Sequence, residues 1–412
     1  MFKVGGSIRD SFREVRDIVK VKISRERLVQ WIPVMSIIVL ASLSFVYGWY
    51  IDDSKPVSGV GWADQDTYRN TASKLYNLER LGPQDFHYSL GYPILGSLSM
   101  LVARADPFVI VSYVLFLSSV VFCFYAGRRL VGPTWTIVFL ILLFAWDGVA
   151  RTFNYVPELF AVPWNNQVLF FAMAFYFWVF STKLPVKSPS WRLIIIFSVI
   201  SGYTFLTREE SILFVLPAVI AFLYLSRAQL AQWIAAVCVV FICFLPQVIL
   251  KSTSLGSVAD SGRKSSYVEM TKQYLQPSLL KRNFWEVIVN PRHYGTTPTV
   301  PAGAPAGYEN LFRRGSPDPQ RNSLIQAAPW LVLAPIGFLL VLMLRRYPLG
   351  LKVFFILSAM VLFFYLSGVN MSGHKLKYHA IRYISSSFIA LNLATVITLR
   401  EGVRYVRVRI NR

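Results

Sequence analysis

Ten apolar stretches alternate with polar, charged segments along this chain of 412 residues. Several of them approach the roughly 20 apolar residues that an α-helix needs to cross the hydrocarbon core of a bilayer. The pattern therefore predicts an all-α polytopic membrane protein with about ten transmembrane helices. The predicted spans are Trp31–Ile51, Pro107–Ala126, Pro133–Gly148, Asn166–Thr182, Trp191–Leu206, Ser211–Ser226, Ala231–Leu250, Ala328–Leu344, Leu349–Val369 and Arg382–Leu399.

The polar stretches between the spans predict how the chain is divided. Two of them, residues 52–106 and residues 251–327, are long, and the second is rich in Pro and Gly. That second loop is either a mobile cover over a site or a flexible linker. The predicted parts are a basic cytoplasmic arm (1–30), an N-terminal transmembrane module (31–250) with the outer loop 52–106, the long outer loop 251–327, the C-terminal transmembrane helices (328–399) and a basic cytoplasmic tail (400–412).

Composition supports the membrane class. The chain is 55% hydrophobic and 15% charged, with a mean hydropathy of +0.48, whereas soluble domains carry about 25% charged residues. The net charge of +21 comes from Lys and Arg residues that lie between the apolar runs. This placement indicates the membrane surface as their partner, and not nucleic acid. The three cysteines lie inside apolar runs with no spacing that suits a metal, so we interpret them as packing residues.

The positions of the basic residues predict the orientation of the spans. Short cytoplasmic loops carry an excess of Lys and Arg. Ten spans place both termini on one side, and the basic arm, Arg128–Arg129, Lys183–Arg192, Arg345–Arg346 and the basic tail all fall on that side. We therefore expect both termini to be cytoplasmic.

This orientation collects nearly all the unusual polar residues on the outer face. An ion-coupled transporter is expected to bury charges near the membrane midplane, whereas an enzyme at the outer interface would carry acids and bases at its helix ends. The pattern favours an enzyme, with a transporter or flippase for an anionic lipid-linked substrate as the alternative. A non-catalytic scaffold would not explain the clustering. The outer-face residues are Asp52, Asp53, Asp64, Asp66, Asp147, Arg151, Glu158, Arg208, Glu209, Glu210, His374, Lys375, Lys377, His379 and Arg382.

Short segments on this face resemble motifs of a known family. Asp64–Tyr68 follows the first span and places an acid four residues before a Tyr, and Gly91–Gly96 has the form of the YPPL-like segment that opens the second span. Thr207–Ser211 resembles a TRxEG-type turn, and Arg382–Tyr383 opens a late span like an RY-type motif. In these segments and in its hydropathy layout, the chain resembles the GT-C-fold integral membrane glycosyltransferases.

The resemblance implies a catalytic outer loop and displacement of a polyprenyl phosphate from a sugar carbon. Such a step needs a base for the incoming hydroxyl and, with a good leaving group, no general acid, unlike glycoside hydrolysis. We assign the base to Asp64, with Asp66 as the second catalytic candidate. The leaving phosphate gathers negative charge and needs positive donors. The expected substrate-binding residues are Arg208, Glu209, His374, Lys375, Lys377, His379, Arg382, Tyr383 and Tyr92.

Each of these residues also has a structural interpretation. Asp66 precedes a predicted helix over residues 67–81 and suits an N-cap; that helix either lies in the interface or packs on neighbouring spans. Arg208–Glu210 would be a solvated turn with a local ion pair, and His374–Arg382 a basic cluster that snorkels toward headgroups. Tyr92 suits stacking on a sugar, but aromatic residues are common at membrane interfaces in any case.

The resemblance also implies partners and a compartment. We expect a polyprenyl-phosphate-linked sugar as donor, a glycan, lipid or protein as acceptor, and membrane lipids around a multi-pass protein of the bacterial inner (plasma) membrane. Transfer is expected to invert the sugar carbon. The sequence indicates no cofactor and no metal site, although a divalent cation is compatible with it. The chain departs from the family pattern at Ile94, Glu209 and Ser211, where Pro, Pro and Gly are common.

Overall fold

The computed structural model describes residues 25–46, 63–86, 88–104, 107–145, 160, 165–185, 189–255, 276–289, 325, 328–368 and 384–410. Every regular element in these residues is helical. The α-helices are α1 (Arg25–Val46), α2 (Ala63–Tyr76), α3 (Gly91–Ser99), α4 (Pro107–Val131), α5 (Pro133–Leu140), α6 (Asn166–Thr182), α7 (Trp191–Thr207), α8 (Ile212–Leu225), α9 (Leu230–Leu255), α10 (Pro277–Phe284), α11 (Ala334–Met343), α12 (Leu349–Leu366) and α13 (Phe388–Ile410). Short 3₁₀ or π turns occupy Pro83–Phe86, Ile141–Ala145, Glu209–Ser211, Trp285–Val289, Pro329–Leu333 and Ser385–Ser387.

Each of the ten predicted spans overlaps one of these helices. Among the described helices, α4, α9 and α12 are long and apolar enough to cross a membrane. The all-helical fold with these three helices is that of a helical membrane protein. The number of ten spans stays a prediction, because the apolar segments in α1, α5, α6, α7 and α11 are shorter.

Helix α6 lies at the centre of the core, and nearly all of its side chains are buried. Aromatic rings join it to its neighbours. Phe197 of α7 stacks on Tyr176 with ring centres 5.0 Å apart and on Phe222 of α8 at 4.1 Å. Phe177 lies 5.1 Å from Phe354 of α12. Such rings bury large areas and favour these stacked and tilted arrangements, so α6 fixes the positions of α7, α8 and α12.

Helices α11 and α13 approach each other at a glycine. A Cβ atom on Gly337 would overlap the backbone carbonyl of Ala394, so only a residue without a side chain fits there. In the same pair of segments, Trp330 Nε1 donates a hydrogen bond of 2.8 Å to Asn392 Oδ1. Small residues at close contacts and hydrogen bonds between side chains are the features by which membrane helices associate.

Several polar segments contain more helix than the sequence predicts. Helix α9 continues to Leu255, so the loop predicted from residue 251 begins later, and the same loop contains α10. The predicted outer loop 52–106 contains α2 and α3. Helix α13 runs to Ile410, so most of the predicted tail 400–412 is the end of a helix.

The bundle has two ends with different polar groups. The turn between α7 and α8 lies beside the last turn of α12, where the guanidinium carbon of Arg208 is 5.4 Å from the centre of the Tyr365 ring. We call this the Arg208 end. The residues before α12 lie beside the second half of α13, where Tyr347 Oη and Arg346 Nη2 are 3.2 Å and 2.5 Å from the Glu401 carboxylate. We call this the Glu401 end.

Candidate functional site

Helix α2 carries both predicted catalytic acids in its first turn. It begins at Ala63, three residues before Asp66, so the prediction that Asp66 is an N-cap is wrong. Acids in the first turn of a helix are favoured by its dipole, which explains their presence there without a cap. The helix ends at Tyr76 and not at residue 81, because the chain turns at Leu78, which has a φ of +58° and is 93% exposed.

Helix α2 packs on α3 and does not lie alone at the interface. Its residues Tyr68, Thr71 and Ala72 are buried. The Tyr68 ring meets Tyr92 edge to face at 5.2 Å. Asp64 lies four residues before Tyr68, so its backbone is on the packed side of the helix. Asp66 is on another side, and its side chain is exposed.

Tyr92, a predicted sugar contact, is fully buried. Its ring stacks on Phe108 with centres 4.8 Å apart, and its hydroxyl donates to Gln167 Oε1 over 3.1 Å. Ser112 donates to the same oxygen over 2.9 Å. Tyr92 therefore fastens α3 to α4 and α6, and its ring offers no exposed face to a sugar in this conformation.

The turn after α2 is held by a buried acid, Asp85, which was not among the predicted site residues. Asp85 accepts hydrogen bonds from Lys74 Nζ at 2.8 Å, from the Gly82 N–H at 2.7 Å and from Thr71 Oγ1 at 3.4 Å. A carboxylate with this many donors is satisfied inside the protein. Asp85 thus fixes the path from α2 to α3, which sets the position of the first turn of α2.

The structure brings two of the predicted motif segments together. A Cβ atom on Gly91 would lie 2.5 Å from Thr207 Oγ1 and 2.7 Å from its backbone nitrogen. The Tyr203 hydroxyl donates a hydrogen bond of 2.5 Å to the Gly91 carbonyl. The absence of a side chain at Gly91 is therefore what lets the start of α3 touch the residue before Arg208. A chain of contacts runs from α2 through Tyr68 and α3 to the Arg208 end.

Helix α9 contributes a third element, which the sequence analysis missed. Gln247 accepts a hydrogen bond of 2.8 Å from the Leu90 N–H and donates one of 2.7 Å to Glu209 Oε1. Lys251 Nζ lies 3.3 Å from the same oxygen, and its side chain is buried. Gln247 falls inside the apolar run predicted as a span, and Lys251 at its edge. Two polar residues four positions apart near the end of an apolar helix are the signal that would have indicated a shared contact.

Glu209 is the acid on which these contacts converge. Burial raises the pKa of its carboxyl, because desolvation disfavours the charged form. The positive charge of Lys251 and the hydrogen bonds from Lys251 and Gln247 lower the pKa, while the neighbouring Glu210 raises it. The carboxyl is thus held in a protein environment with a cation and an amide as fixed partners.

Arg208 is also buried, at 4% exposed, and forms the local ion pair that was the structural alternative for this turn. Its Nε and Nη2 lie 3.0 Å and 2.5 Å from Glu210 Oε1, and its Nη1 lies 3.5 Å from Asn165 Oδ1. The guanidinium also packs over the Tyr365 ring, an arrangement that stabilises a cation. The guanidinium is therefore not solvated as that alternative supposed, because Glu210 of the same turn, Asn165 before α6 and Tyr365 of α12 surround it.

The remaining predicted residues lie outside the described residues. They include the predicted phosphate-side motif and the basic cluster before it. The side chain of Asp64 is likewise not described, although its helix is. These residues are His374, Lys375, Lys377, His379, Arg382 and Tyr383.

No group of three or more His, Cys, Asp or Glu side chains in the described part of the chain is arranged to hold a metal ion. Comparison of the chain with protein-family models, with curated proteins and with solved structures finds no match.

Proposed function

We propose that the protein is a membrane glycosyltransferase with a GT-C-like site at the Arg208 end. It moves a sugar from a polyprenyl-phosphate donor to an acceptor, with inversion at the sugar carbon and Asp64 as the general base. The contact between Gly91 and Thr207 carries this proposal. It joins the outer-loop segment and the turn that each resemble a motif of those enzymes, although 116 positions separate the two residues in the sequence.

The chemistry follows from the groups at this end. The base takes the proton of the acceptor hydroxyl as the new bond to the sugar carbon forms, and the polyprenyl phosphate leaves with the electrons of the broken bond. Asp64 is preferred to Asp66 because its backbone lies on the side of α2 that packs toward α3. Arg208 places a fixed positive charge beside the site, and preorganised cations stabilise charge that develops on a leaving group.

The placement of buried charge favours an enzyme over a transporter or flippase. Among the described residues, the charged groups that meet at the Arg208 end lie in a turn or near a helix end: the buried Arg208 and the half-buried Glu209 between α7 and α8, and the buried Lys251 four residues before α9 ends. A transporter for charged substrates is expected to place such groups near the midplane, at interruptions in its helices.

The compartment and partners belong to the same proposal. The protein would lie in the inner (plasma) membrane of a bacterial cell, with both termini cytoplasmic and the Arg208 end outside. A donor that arrives from the lipid phase suits a chain in which the described residues include no soluble nucleotide-binding domain. The acceptor is a glycan, a lipid or a protein.

The donor class is the direct test. Purified full-length protein in lipid nanodiscs should transfer sugar from a polyprenyl-phosphate-linked donor and show no transfer from a nucleotide sugar of the same type. Product would be followed by mass spectrometry with a panel of glycan, lipid and peptide acceptors. Turnover with the nucleotide sugar in lipid-free detergent would overturn the proposal, and movement of the intact lipid-linked sugar across a vesicle membrane without transfer would favour the transporter.

A further inference from the structure

Helix α10 is fastened across the C-terminal end of α12 by polar contacts on one of its sides. The buried Asn283 side chain donates hydrogen bonds to the carbonyl oxygens of Leu366 at 2.7 Å and of Gly368 at 2.9 Å. The Gln276 N–H donates to the Ser367 carbonyl at 3.1 Å. The end of a helix leaves such carbonyls without intrahelical partners. Their capture by α10 therefore fixes its position on α12.

The other side of α10 and the π turn after it form a groove with α12. The residues on this side are spaced at i, i+3, i+4, i+7 and i+8, which places them in one stripe. We call the space between this stripe and α12 the α10–α12 groove; its volume is about 390 Å³. It is lined by Pro277, Leu280, Lys281, Phe284, Trp285 and Phe363, so Lys281 is the one charged residue in a lining that is otherwise apolar.

The groove continues a side of α12 that faces away from the protein core. Leu349, Ile356, Met360 and Phe363 are exposed, and their spacing of seven, four and three residues places them along one face of the helix. Helix α12 is long and apolar enough to span a membrane, so this face is suited to contact lipid. Phe363 is the last member of the face, one turn before α12 ends, and it is also the floor of the groove.

The rim of the groove has the chemistry of a membrane interface. Phe284 is 43% exposed and Trp285 is 54% exposed, and the amphipathic ring of a Trp prefers the headgroup level of a membrane. Lys281 adjoins them, with Arg282 next in the chain. A cation beside an apolar floor suits a ligand with a hydrocarbon chain and an anionic head.

We propose that the α10–α12 groove binds a single-chain lipid phosphate, with its hydrocarbon chain along Phe363 and its phosphate at Lys281. This inference rests on the proposed function, since it gives the lipid part of the donor a place in the fold. The volume is near the lower limit of small-molecule sites, about 300–1,000 Å³. It therefore suits a segment of one chain and not the two chains of a phospholipid.

The groove lies at the same end of α12 as the candidate site, on another side of the helix. Phe363 is two residues before Tyr365, whose ring packs against the Arg208 guanidinium at 5.4 Å. Phe364, between them, meets Phe214 of α8 edge to face at 6.4 Å. The groove and the polar network of Arg208 and Glu209 therefore lie at the same end of α12, and a lipid phosphate at Lys281 would be at that end of the bundle.

Photolabelling of the full-length protein in nanodiscs tests the groove. The probe is an isoprenyl phosphate with a diazirine in its chain, and the labelled peptides are identified by mass spectrometry. We expect label on residues 277–285 and around Phe363. The uncharged isoprenyl alcohol with the same diazirine should label these peptides about fivefold less, because one cation at an interface contributes roughly that factor to the binding of an anion.

Matched variants separate the roles of charge and shape. Lys281→Glu should reduce labelling by the phosphate probe about fivefold or more. Arg404→Glu makes the same change of charge on the exposed end of α13 and should leave labelling unchanged. Phe363→Trp fills the floor and should reduce labelling by both probes. Phe241→Trp, on α9 and similarly exposed at 56%, is its control and should leave labelling unchanged.

Three outcomes would overturn the groove assignment. They are equal labelling by the phosphate and the alcohol, labelling around Phe241 as strong as in the groove, and competition by phosphatidylglycerol as effective as competition by unlabelled isoprenyl phosphate. Because labelling is measured without transfer, the two proposals fail separately. Sugar transfer without groove labelling would reject the groove alone, and groove labelling in a protein that transfers no sugar would support the groove and reject the glycosyltransferase.

Discussion

The Arg208 end and the Glu401 end both pair acids with bases, but they differ in how far their cations are removed from water. The side chains of Arg208 and Lys251 are 4% and 2% exposed, whereas the side chain of Arg346, the cation nearest Glu401, is 40% exposed. The distances within the pairs are similar, between 2.5 Å and 3.3 Å. Distance alone therefore does not distinguish the two ends.

The difference in burial determines what each end can do. A buried ion that loses its partner is strongly destabilising, about 3–5 kcal/mol, while an exposed pair contributes about 0–1 kcal/mol. The groups at the Arg208 end are thus held in one arrangement, as a preorganised site requires. The cations of the Glu401 end remain partly exposed to water, which suits contact with lipid headgroups at a membrane surface.

The largest effect should come from the acid assigned to the chemistry. Asp64→Asn keeps the shape of the side chain and removes the base, so we expect sugar transfer to fall by about 10²–10⁴-fold. Donor binding should change little, because the phosphate contacts are elsewhere. Initial rates and donor binding of the purified variant, compared with wild type at equal protein, measure both quantities.

Asp66→Asn is the matched control for that change. Its side chain is exposed and lies on another side of α2, so transfer should stay close to wild type. Full activity of Asp64→Asn would show that Asp64 is not the general base. Asp66 would then be the next candidate, and Glu209 the one after it.

The second-largest effect is a loss of stability, and it tests whether the buried cations of the Arg208 end matter more for stability than the exposed cation of the Glu401 end. Lys251→Met removes the cation beside Glu209, and we expect the free energy of unfolding to fall by about 3 kcal/mol, the lower part of the range for a broken buried pair. The lower part is appropriate because Glu209 keeps its hydrogen bond from Gln247 and can take up a proton. Arg346→Met at the Glu401 end should cost no more than about 1 kcal/mol, because Arg346 is 40% exposed and Glu401 keeps the Tyr347 hydroxyl and Arg400 as partners.

A double variant checks the cause of the Lys251 effect. Lys251→Met combined with Glu209→Gln leaves no unpaired charge, so it should recover part of the stability lost by Lys251→Met alone. Unfolding in detergent, followed by intrinsic fluorescence, gives the free energy of unfolding of the wild type, of Lys251→Met, of Arg346→Met and of the double variant. Equal losses for Lys251→Met and Arg346→Met would mean that burial does not separate the two ends.

The helices of this fold were predictable because apolar runs mark them directly. The predicted bounds Asn166–Thr182 are those of α6. The C-terminal bound of α13 was not predictable, since its last turns are basic and exposed and carry no apolar run. The start of α2 at Ala63 was missed as well. The packing of Tyr68 and Ala72 on α3 stabilises α2 more than the local sequence of α2 indicates.

The candidate site was predictable only in part, because contacts between distant segments have no local signal. The ion pair of Arg208 and Glu210 could be inferred since the two residues are neighbours in the chain. The link from Leu90 through Gln247 to Glu209 spans three segments and depends on how α9 packs. The burial of Tyr92 was not predictable either, because an aromatic residue near an interface suits both a core and a binding surface.

A third effect compares a glycine at each end. Gly91→Ala places a methyl group 2.5 Å from Thr207 Oγ1, so a backbone segment must shift. We expect a loss of about 1–3 kcal/mol, the usual cost of overpacking. Gly402→Ala on α13 meets nothing within 4 Å. That change should stabilise the protein by roughly 0.5–1 kcal/mol, because alanine loses less backbone freedom in a helix.

Transfer adds a second readout to this pair of glycine variants. Gly91→Ala should lower transfer as well as stability, because the contact with Thr207 positions the outer-loop segment against the Arg208 turn. Gly402→Ala should leave the rate unchanged. A Gly91→Ala protein with normal stability and normal rate would show that the close approach of these two segments is not needed for the site.

The smallest effect is the pH dependence of stability that Glu209 introduces. Burial raises the pKa of its carboxyl above the usual 4.5, against the lowering effect of Lys251. Between the unfolded and the folded pKa, the folded state binds the proton more tightly. Glu209 therefore favours folding at acidic pH, and this contribution is lost as the pH rises from the unfolded pKa through the raised folded pKa.

Glu209→Gln has no carboxyl to titrate, so it isolates this contribution. The unfolding temperatures of wild type and of Glu209→Gln should be measured from about pH 3 upward in one detergent, because pH 3 is roughly one unit below the pKa of an ordinary glutamate carboxyl. The wild type should lose stability relative to the variant as the pH rises through the carboxyl range, and the difference should level off above the folded pKa. Parallel curves would mean that the carboxyl binds its proton equally well in both states. In that case Lys251 and Gln247 offset the desolvation completely, and the Arg208 end would resemble the Glu401 end in its pH response while differing in its burial.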